Sequence, residues 1–539
     1  MKDVFKSLKG DLITFSLLTI ILSILMVGEA YLAQFIIDRA EINGMNYLVL
    51  IFIVLMFLFS QTVVYFFQQF KTAVLSKKSA FLFRNFLFKK IQEIHLNHLN
   101  NDLKDRLLSA LTVQIDQVEF NYFYTLYWGG YLLCQLVVAV VFAFMMDPLM
   151  AAMTLLLSLP NLLVALAYKG QLAQSQDDLI DQTDATINSI KDLTDGYLDW
   201  KVGDGAGEVY NVFTQVTQRL LMKQTKISKV QYSVASLNQL FSNVLYFGSW
   251  LIGGYLILNN NLTLGSLITF TQLLARISFP IYSSSDLIAR FIGGKKIVDS
   301  LKQDFIFSKE DESLFENQPL LESVSDIQFD KVASPLLSAD SLTLSFQANH
   351  FYLIKGKSGS GKSTLFRLIL KETNDYTGKI TINGIDLSQL SEKELFKKVA
   401  YVPQFPHIFS GTLKDNLTLF SDSYNHEQLY AVLEFVELEK WANNQSLSMP
   451  IKNEEVTISG GEAKRVALAR ALLLDKEILL IDEFSSGVDR ITLEKIEKKL
   501  AQLNKLILYI SHVSQTNVKQ NFDYMIDLDN NGDLLVLKQ

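Results

Sequence analysis

A short glycine-rich loop carries the clearest chemical signal in this chain. Residues 356–364 read GKSGSGKST, between the strand-like run HFYLIKG and the helix-like run LFRLILK. Glycines in such a loop let backbone N–H groups approach a phosphate chain closely, and the start of the following helix adds partial positive charge. The strand–loop–helix order is the context that a phosphate-binding loop requires. The sequence therefore predicts a site for a nucleoside triphosphate.

Every residue of this loop is a candidate nucleotide contact. Lys362 is expected to reach the β- and γ-phosphates, and the Ser363 hydroxyl is expected to ligate Mg²⁺. The full set of expected contacts is Gly356, Lys357, Ser358, Gly359, Ser360, Gly361, Lys362, Ser363 and Thr364.

A second chemical element follows about 120 residues later. Residues 477–483 read EILLIDE, in which four apolar residues lead to Asp482 and Glu483. At the end of a buried strand Asp482 can hold Mg²⁺, directly or through water. Glu483 comes next and can act as the general base that polarises an attacking water. Together with the phosphate loop, the pair predicts hydrolysis of the nucleotide.

The segment ISGGE, residues 458–462, predicts a second phosphate-binding helix start. Ser459, Gly460 and Gly461 open a helical stretch, with Glu462 directly after them. Backbone N–H groups at a helix N-terminus attract anions. One nucleotide does not need two such helix starts in one domain. The spacing therefore points to a dimer in which each phosphate loop shares its nucleotide with the other copy's SGG.

These elements follow a long apolar half. Six segments are apolar enough to cross a hydrocarbon core of about 30 Å. They are residues 12–37, 46–68, 126–146, 149–168, 237–258 and 264–285. The first begins like a signal peptide, but it is too long for one and has no small-residue cleavage site, so it is interpreted as an anchor. The sequence therefore predicts an integral membrane protein.

Charge indicates how these spans are oriented. Three pairs of spans are joined by short turns that contain no lysine, whereas spans 2 and 3 are separated by a long basic loop. Its basic residues between positions 71 and 90 are Lys71, Lys77, Lys78, Arg84, Lys89 and Lys90. By the positive-inside rule, the long loops and the N-terminus are predicted to be cytoplasmic. An even number of spans then returns the C-terminal half to the cytoplasm.

Composition excludes one class of partner. The formal net charge is −7, and 49% of the residues are hydrophobic. Binding to a nucleic-acid backbone needs clustered lysine and arginine, so no nucleic-acid ligand is expected. With six spans as well, a soluble ATPase acting on nucleic acid is excluded. The single Cys134 rules out an intrachain disulfide and a CxxC metal site.

The chain is predicted to have two domains and a linker. Residues 1–299 form an all-α membrane domain of six helices, whose long loops have helical periodicity and continue the spans into the cytoplasm. Residues 300–325 are charged and serve as the linker. Residues 326–539 alternate short strands with helices, which predicts an α/β P-loop NTPase domain built on a parallel sheet.

The order of these motifs resembles that of the ATP-binding cassette (ABC) exporter superfamily, in particular a half-transporter of the type IV exporter fold. The likeness extends over nearly the whole chain. It implies a dimeric ATPase that uses ATP and Mg²⁺ and couples hydrolysis to transport. By resemblance, Gln404 falls at the Q-loop and serves both Mg²⁺ and catalysis, His512 is the switch histidine, and Asp489 ends the D-loop. Residues near 97–106 and 202–212 resemble the elements that couple the cassette to the spans.

The chain departs from the family pattern at two places. ISGGE differs from the signature LSGGQ at Ile458 and Glu462, which is expected to alter closure kinetics and to leave the helix-start anion site intact. After the first cassette strand, where the family has an aromatic residue against adenine, Ser334, Pro335 and Leu336 stand instead. Phosphate chemistry is expected to persist, whereas selectivity for the base is in doubt.

Two membrane charges are the substrate candidates. Arg276 lies about 18 Å into the sixth span, and Glu29 lies in the outer part of the first. Charged residues inside a span usually face a cavity or a partner. Arg276 in each of two subunits would favour an anionic group on the substrate. An Arg276–Glu29 structural pair is the alternative, and the sequence does not choose between them.

The leading hypothesis is an exporter subunit that moves an amphipathic small molecule, drug or peptide outward across a bilayer, expected to be a bacterial cell membrane. A lipid flippase of the same fold is the alternative, and intact Glu483 and His512 argue against a nucleotide-gated channel. The partner is a second half-transporter, with an identical chain favoured over a different one. No peptidase-like segment precedes the first span, so leader-peptide cleavage is not expected.

Overall fold

The structure, a computed structural model, describes most of the chain in two compact units. The described residues are 2–40, 47–98, 101–259, 262–305, 319–337, 340–451, 458–511, 521–528 and 534–535. The first unit contains residues 1–93 and 105–306, and the second contains residues 94–104 and 307–539. The second unit thus takes in a short piece of the loop between spans 2 and 3 besides the C-terminal half.

Among the described residues, six helices of the first unit are long and apolar enough to cross a membrane. Their bounds are Lys9–Ile37, Tyr47–Ile91, Arg106–Met146, Pro148–Asp195, Ala206–Leu258 and Leu264–Phe305. Each predicted span lies within one of them, apart from residue 46, which is outside the described residues. Exposed leucine, isoleucine, valine and phenylalanine side chains cover their outer surfaces. Such a surface suits a lipid environment, where apolar side chains need no burial.

Four of these helices continue well beyond the predicted spans, as the periodicity of the long loops indicated. The second runs for 45 residues, the fourth for 48 and the fifth for 53. The sixth continues to Phe305, inside the predicted linker. The third contains two π-helical stretches, Ala110–Gln114 and Glu119–Tyr124, which helical periodicity did not predict. Short helices complete the unit at Lys2–Ser7, Ile115–Val118 and Tyr197–Val202.

In the described residues, the second unit is built on three sheets. The strand bounds are β1 Asp326–Ala333, β2 Leu342–Gln347, β3 Phe351–Lys355, β4 Thr377–Ile382, β5 Ile385–Asp386, β6 Val399–Val402, β7 Gly411–Thr412, β8 Pro450–Ile451, β9 Ile478–Asp482, β10 Leu506–Ile510, β11 Tyr524–Asp527 and β12 Leu534–Leu535. The large sheet has the strand order β12-β11-β3-β10-β9-β6, the second has the order β2-β1-β4-β5, and the third pairs β7 with β8.

Strands β11, β3, β10, β9 and β6 pair in parallel, which confirms the predicted parallel core sheet. The antiparallel sheet of β1, β2, β4 and β5 was not predicted. Its strands alternate buried and exposed residues, because only one face packs on the core. In a parallel sheet, ligands bind outside the carboxyl ends of the strands. The segments that follow β3, β6, β9 and β10 therefore meet at one edge.

Helices cover the large sheet and carry the remaining motifs. Their bounds are Lys362–Ile369, Glu392–Lys398, Leu413–Thr418, His426–Phe435, Asn444–Leu447, Gly460–Leu473 and Arg490–Leu500. The segment 94–104, which overlaps the first predicted coupling element at 97–106, contains the short helix Leu96–His98. Glu392 Oε1 accepts from the Leu96 backbone N–H at 3.0 Å and lies 3.2 Å from His95 Nδ1. This loop segment is therefore tied to the cassette.

Candidate functional site

The phosphate loop occupies the predicted place between β3 and the helix Lys362–Ile369. Gly361 ends the loop with φ +94°, and Gly359 has φ +85°, both in the left-handed region that favours glycine. A Cβ on Gly361 would lie 2.7 Å from Leu337 Cδ2, so both backbone shape and space require glycine there. The helix N-terminus consequently begins directly at Lys362.

Lys362 lies inside the loop rather than in solvent. Its side chain is 5% exposed, and Nζ donates to the carbonyl oxygens of Gly356 at 2.8 Å and Lys357 at 2.7 Å. These carbonyls hold the ammonium group over the concave side of the loop. A buried ammonium group needs such partners, because the desolvation of an unpaired charge is costly. The loop thereby positions one fixed positive charge where a phosphate chain would bind.

Asp482 ends β9 and faces the residue after Lys362. It is 3% exposed, and the Ser363 hydroxyl hydrogen-bonds to its carboxyl group. Burial, aided by the charge of Glu483, raises the pKa of Asp482 above its ordinary value, although the Ser363 bond opposes this. Its Oδ1 atom is buried and has no hydrogen-bond partner among the residues that the structure describes. A buried carboxylate oxygen without a partner, beside a hydroxyl, has the hard oxygen chemistry that Mg²⁺ prefers.

Glu483 directly follows the strand in an unusual backbone conformation. Its φ is +46°, which is rare for a residue with a Cβ. The Glu483 N–H donates to the Ile510 carbonyl at 3.1 Å, which ties it to the end of β10. Gln404, after β6, donates its side-chain N–H to Glu483 Oε2. The structure thus brings Lys362, Ser363, Gln404 and the carboxylate pair to one edge of the sheet.

The ISGGE segment forms the exposed start of the helix Gly460–Leu473. Ser459 is its N-cap, and Ser459 and Glu462 cap each other: Glu462 N donates to Ser459 Oγ at 3.3 Å, and Ser459 N donates to Glu462 Oε2 at 2.9 Å. Gly460 is exposed, and a Cβ there would meet nothing within 4 Å. This helix start therefore faces open space and is free to receive a group from outside the chain.

Glu462, which differs from the family signature, forms an ion pair with Lys440. Lys440 Nζ lies 2.5 Å from Glu462 Oε1. Although burial works in the other direction, hydrogen bonds from Lys440 and Ser459 hold the pKa of Glu462 below its ordinary value. The lysine thus offsets the negative charge that Glu462 brings to a predicted anion site.

Of two other predicted site residues, the structure describes Asp489 and does not describe His512. Asp489 is the N-cap of the helix Arg490–Leu500, and its side chain accepts from Thr492 N at 3.0 Å. That bond holds the pKa of Asp489 below its ordinary value. His512 lies outside the described residues, so its predicted contact with the γ-phosphate stays a prediction.

The segment that replaces the family's aromatic residue packs against the phosphate loop. Leu337 N donates to Ser334 O at 3.0 Å, and Thr364 Oγ1 donates to Leu336 O at 3.2 Å. The Leu336 side chain is 46% exposed. The exposed surface beside the loop is therefore aliphatic, which can contact a base but cannot stack on it as a ring does.

Two residues near the site were missed from the sequence. Tyr401, on β6, has its hydroxyl against Asp482, and burial raises the pKa of Tyr401. Lys464, on the helix Gly460–Leu473, is 7% exposed and donates to the carbonyl of Glu483. The sequence held a signal for Lys464, because it lies in line with buried Ala467, Leu468 and Ala471 on one helical face.

The two substrate candidates are paired in the first unit. Arg276 Nη2 lies 2.8 Å from Glu29 Oε2, and Gln61 Nε2 donates to the same oxygen at 3.0 Å. The side chains of Arg276 and Glu29 are 32% and 41% exposed. The ion pair of the alternative interpretation is thus present, and it is also accessible from one side.

Two family models match the chain. The ABC transporter transmembrane region matches residues 12–281, and the ABC transporter model matches residues 339–486. The first covers five predicted spans and most of the sixth, and the second covers the phosphate loop, ISGGE and the carboxylate pair.

Named relatives include proteins from several bacteria. The lactococcin-A transport/processing ATP-binding protein LcnC of Lactococcus lactis is 30% identical over 370 residues, which cover 66% of this chain and 51% of the relative. The transport/processing ATP-binding protein ComA of Streptococcus pneumoniae is 28% identical, with 54% of this chain and 42% of the relative covered. The chain thus spans about half the length of these relatives.

A third relative matches from end to end. A Rickettsia conorii protein, RC1073, provisionally named an export ATP-binding/permease protein, is 23% identical over 97% of this chain and 92% of its own length. Among solved structures, a bacterial Atm1-family ABC exporter with ATP bound has a TM-score of 0.81. It is 16% identical and covers 97% of this chain and 94% of its own. This likeness shows the exporter fold.

Proposed function

Because the chain belongs to the ABC transporter family, whose cassette binds ATP and couples its hydrolysis to transport, we propose that it is one half of a dimeric exporter. It moves an amphipathic small molecule, drug or peptide outward from the cytoplasm or the inner leaflet. One observation carries the proposal: Lys362, Ser363, Gln404, Asp482 and Glu483 lie together at the carboxyl edge of one sheet, in a chain with six candidate spans.

In the hydrolysis step, the loop N–H groups and Lys362 bind the phosphate chain and offset its charge. Glu483 accepts a proton from the attacking water, and Gln404 orients the Glu483 carboxylate through its side-chain hydrogen bond. Ser363 and the unpartnered Oδ1 of Asp482 are suited to hold Mg²⁺, with Gln404 nearby as a further oxygen donor. A bound Mg²⁺ would offset negative charge on the phosphates.

A second copy of the chain completes the site. The exposed helix start at Ser459–Gly461 offers N–H groups to a phosphate that its own phosphate loop does not need. We assign it to the nucleotide of the partner, with Asp489 contacting the opposite cassette. ATP then binds between two cassettes and draws them together, and hydrolysis releases them. An identical partner is favoured, and a different half-transporter is the alternative.

Charge supports the orientation. The basic residues between positions 71 and 90 belong to the loop side of the spans, so the cassettes lie in the cytoplasm, where ATP is. The bacterial relatives support a cell membrane as the location.

The names of the relatives favour a peptide-like cargo. LcnC is named for the transport and processing of lactococcin-A. In this chain the accessible Arg276–Glu29 pair offers one positive and one negative group inside the spans. Such a pair is complementary to an amphipath that carries polar or charged ends on an apolar body. We therefore place a polar part of the substrate at this pair.

A lipid flippase is the second candidate because the first unit contains an apolar cavity. An apolar cavity of about 580 Å³ lies between the third, fourth and sixth long helices, lined by residues that include Leu132, Leu136, Leu159, Ile281 and Leu287. Its size and lining suit an acyl chain. The cavity therefore supports the flippase as the second candidate, and it also suits amphipathic drugs, which carry apolar bodies.

The direct test is transport into proteoliposomes that contain the purified protein with its cassettes facing outward. ATP added outside is expected to drive accumulation of a dansylated hydrophobic peptide, whereas ADP is not. A fluorescent phospholipid assayed in parallel tests the flippase alternative. Steady ATP hydrolysis without movement of peptide, of lipid or of an amphipathic dye panel would contradict the proposal.

Exchanging the charges of the membrane pair separates a substrate site from a structural pair. The single variants Glu29→Arg and Arg276→Glu are expected to abolish peptide-stimulated ATPase activity, because each leaves two like charges within the spans. The double variant Glu29→Arg/Arg276→Glu restores an ion pair with its polarity reversed. If the pair binds substrate, the double variant regains stability in thermal unfolding but not stimulation by the peptide. Full recovery of both would reduce the pair to a structural role.

A further inference from the structure

Lys464 is a buried cation that hydrolysis, as described above, does not use. It lies one turn into the helix Gly460–Leu473, is 7% exposed, and its Nζ donates to the Glu483 carbonyl at 2.7 Å. Burial lowers the pKa of Lys464, and the charges of Glu483 and Asp482 oppose that shift. Because burying an ammonium group is costly, its position requires a compensating interaction. The Glu483 carbonyl and the nearby carboxylates supply it.

The backbone of Glu483 needs to be held. A left-handed conformation is strained for a residue with a Cβ, so it persists only where the surroundings enforce it. The Glu483 N–H is bonded to Ile510 O, and the side chain accepts from Gln404. Lys464 donates to the backbone carbonyl oxygen of Glu483. Lys464 therefore makes one of the contacts that fix the backbone of Glu483 and so orient its carboxylate.

A second close approach joins the same helix to the loop after Glu483. A Cβ added to Gly461 would lie 2.2 Å from the Gly487 carbonyl oxygen, so the backbones of the two segments are in direct contact. The helix start therefore touches the loop at Gly487 and holds its beginning through Lys464. The helix Gly460–Leu473 and the loop that begins at Glu483 are therefore joined at two points, Gly461 against Gly487 and Lys464 against the Glu483 carbonyl.

We propose that Lys464 is a positioning residue that connects the helix start Ser459–Gly461 to Glu483 of the same chain. The proposal rests on the dimeric function above, in which that helix start binds the partner's nucleotide. Glu483 of each chain then acts on the nucleotide bound by its own phosphate loop, while the orientation of its carboxylate depends on the nucleotide bound by the partner's loop. Lys464 is thus the link through which occupancy of one site sets the hydrolysis rate of the other.

The test compares Lys464→Met with wild type in ATPase assays on the full chain in nanodiscs. Methionine keeps the apolar length and removes the donor. We expect kcat to fall about 10- to 100-fold, the effect of losing one charged hydrogen bond, with KM changed less than about twofold. The Hill coefficient for ATP is expected to fall towards one. Lys464→Arg, which keeps a cationic donor, is expected to recover part of both.

Lys505→Met is the matched control, because Lys505 Nζ likewise donates to a backbone carbonyl, that of Lys476, at 2.7 Å. It is expected to lower the unfolding temperature without changing the Hill coefficient. A kcat for Lys464→Met within about twofold of wild type, or a loss matched by Lys505→Met, would overturn the proposal. So would a lower kcat with unchanged cooperativity. If wild type itself hydrolyses no ATP, the proposed function fails instead.

Discussion

Replacing Glu483 with glutamine is expected to lower the ATPase rate by about 10²- to 10⁴-fold, the usual contribution of a general base. Glutamine keeps the shape of the side chain, and its carbonyl oxygen can still accept the hydrogen bond from Gln404. Binding is expected to change little, because the phosphate contacts of the loop and Lys362 are untouched. Steady-state phosphate release, together with ATP affinity from a fluorescent analogue, measures the two effects separately.

Glu494→Gln is the matched control for this substitution. Glu494 is a partly exposed residue on the helix Arg490–Leu500, where its carboxylate pairs with Arg490 at 3.0 Å. A neutral amide there is expected to leave hydrolysis unchanged. If Glu483→Gln kept more than about a tenth of the wild-type rate, Glu483 would not be the general base.

The second large effect concerns stability, at Glu497. This carboxyl group is 3% exposed on the helix Arg490–Leu500 and lies against the Tyr509 hydroxyl on β10. Within the described part of the chain, its Oε2 atom has no hydrogen-bond partner. Burial raises the pKa of Glu497 to about 7 from an ordinary value of 4.5. The folded chain therefore favours the protonated form at pH values where the unfolded chain is ionised.

The pH dependence follows from that shift. Below pH 4.5 both states carry the proton and there is no penalty. Stability falls as the pH rises from 4.5 towards 7, and the full penalty is present above 7. At about 1.4 kcal/mol for each pKa unit, the penalty is about 3 kcal/mol. Glu497→Gln removes this titration. Relative to wild type, the variant's free energy of unfolding is therefore expected to be about 3 kcal/mol larger, meaning a more stable fold, at pH 8 than at pH 4.5.

Thermal unfolding of the full chain in detergent at the two pH values measures this difference. Comparing the variant with wild type at both pH values cancels any effect of glutamine that does not depend on pH. Glu494→Gln is again the control and is expected to show only a small pH-dependent change, since surface ion pairs contribute little. A Glu497→Gln variant whose unfolding temperature follows the wild-type pH profile would contradict the raised pKa.

Local sequence was sufficient for the parts of the site that are contiguous. The loop 356–364, the strand ending at Asp482 and the helix start at Ser459 each form from neighbouring residues whose types prescribe the backbone. The six spans could be predicted for the same reason, because each is a contiguous apolar run.

Contacts between distant residues were not readable in this way. Lys464 is only two residues beyond ISGGE, but its acceptor is a backbone carbonyl, which carries no mark in the sequence. Glu29 and Arg276 are 247 positions apart, and both interpretations suited their types until the packing placed them together. The antiparallel sheet was missed because β1 and β4 pair across the whole phosphate-loop segment. Tertiary packing decided each of these cases.

The central proposal is that each ATP binds between two copies of the chain. The most direct test pairs two chains that carry different defects. One chain carries Lys362→Ala, which removes the phosphate-binding cation, and the other carries Gly460→Asp, which places a carboxylate at the helix start. Gly460 has room for a side chain among the described residues, so this substitution is expected to leave folding intact and to act on the phosphate of the partner's nucleotide. Different affinity tags isolate the mixed pair, whose ATPase rate is then compared with that of a doubly substituted chain paired with wild type.

If ATP binds between two chains, the Lys362→Ala and Gly460→Asp pair keeps one intact site and hydrolyses ATP. The doubly substituted chain paired with wild type then has no intact site and is inactive. If each site lies within one chain, the outcomes are reversed, because only the wild-type partner holds a complete site. Activity confined to that second pair, or chains that do not purify together, would contradict the account.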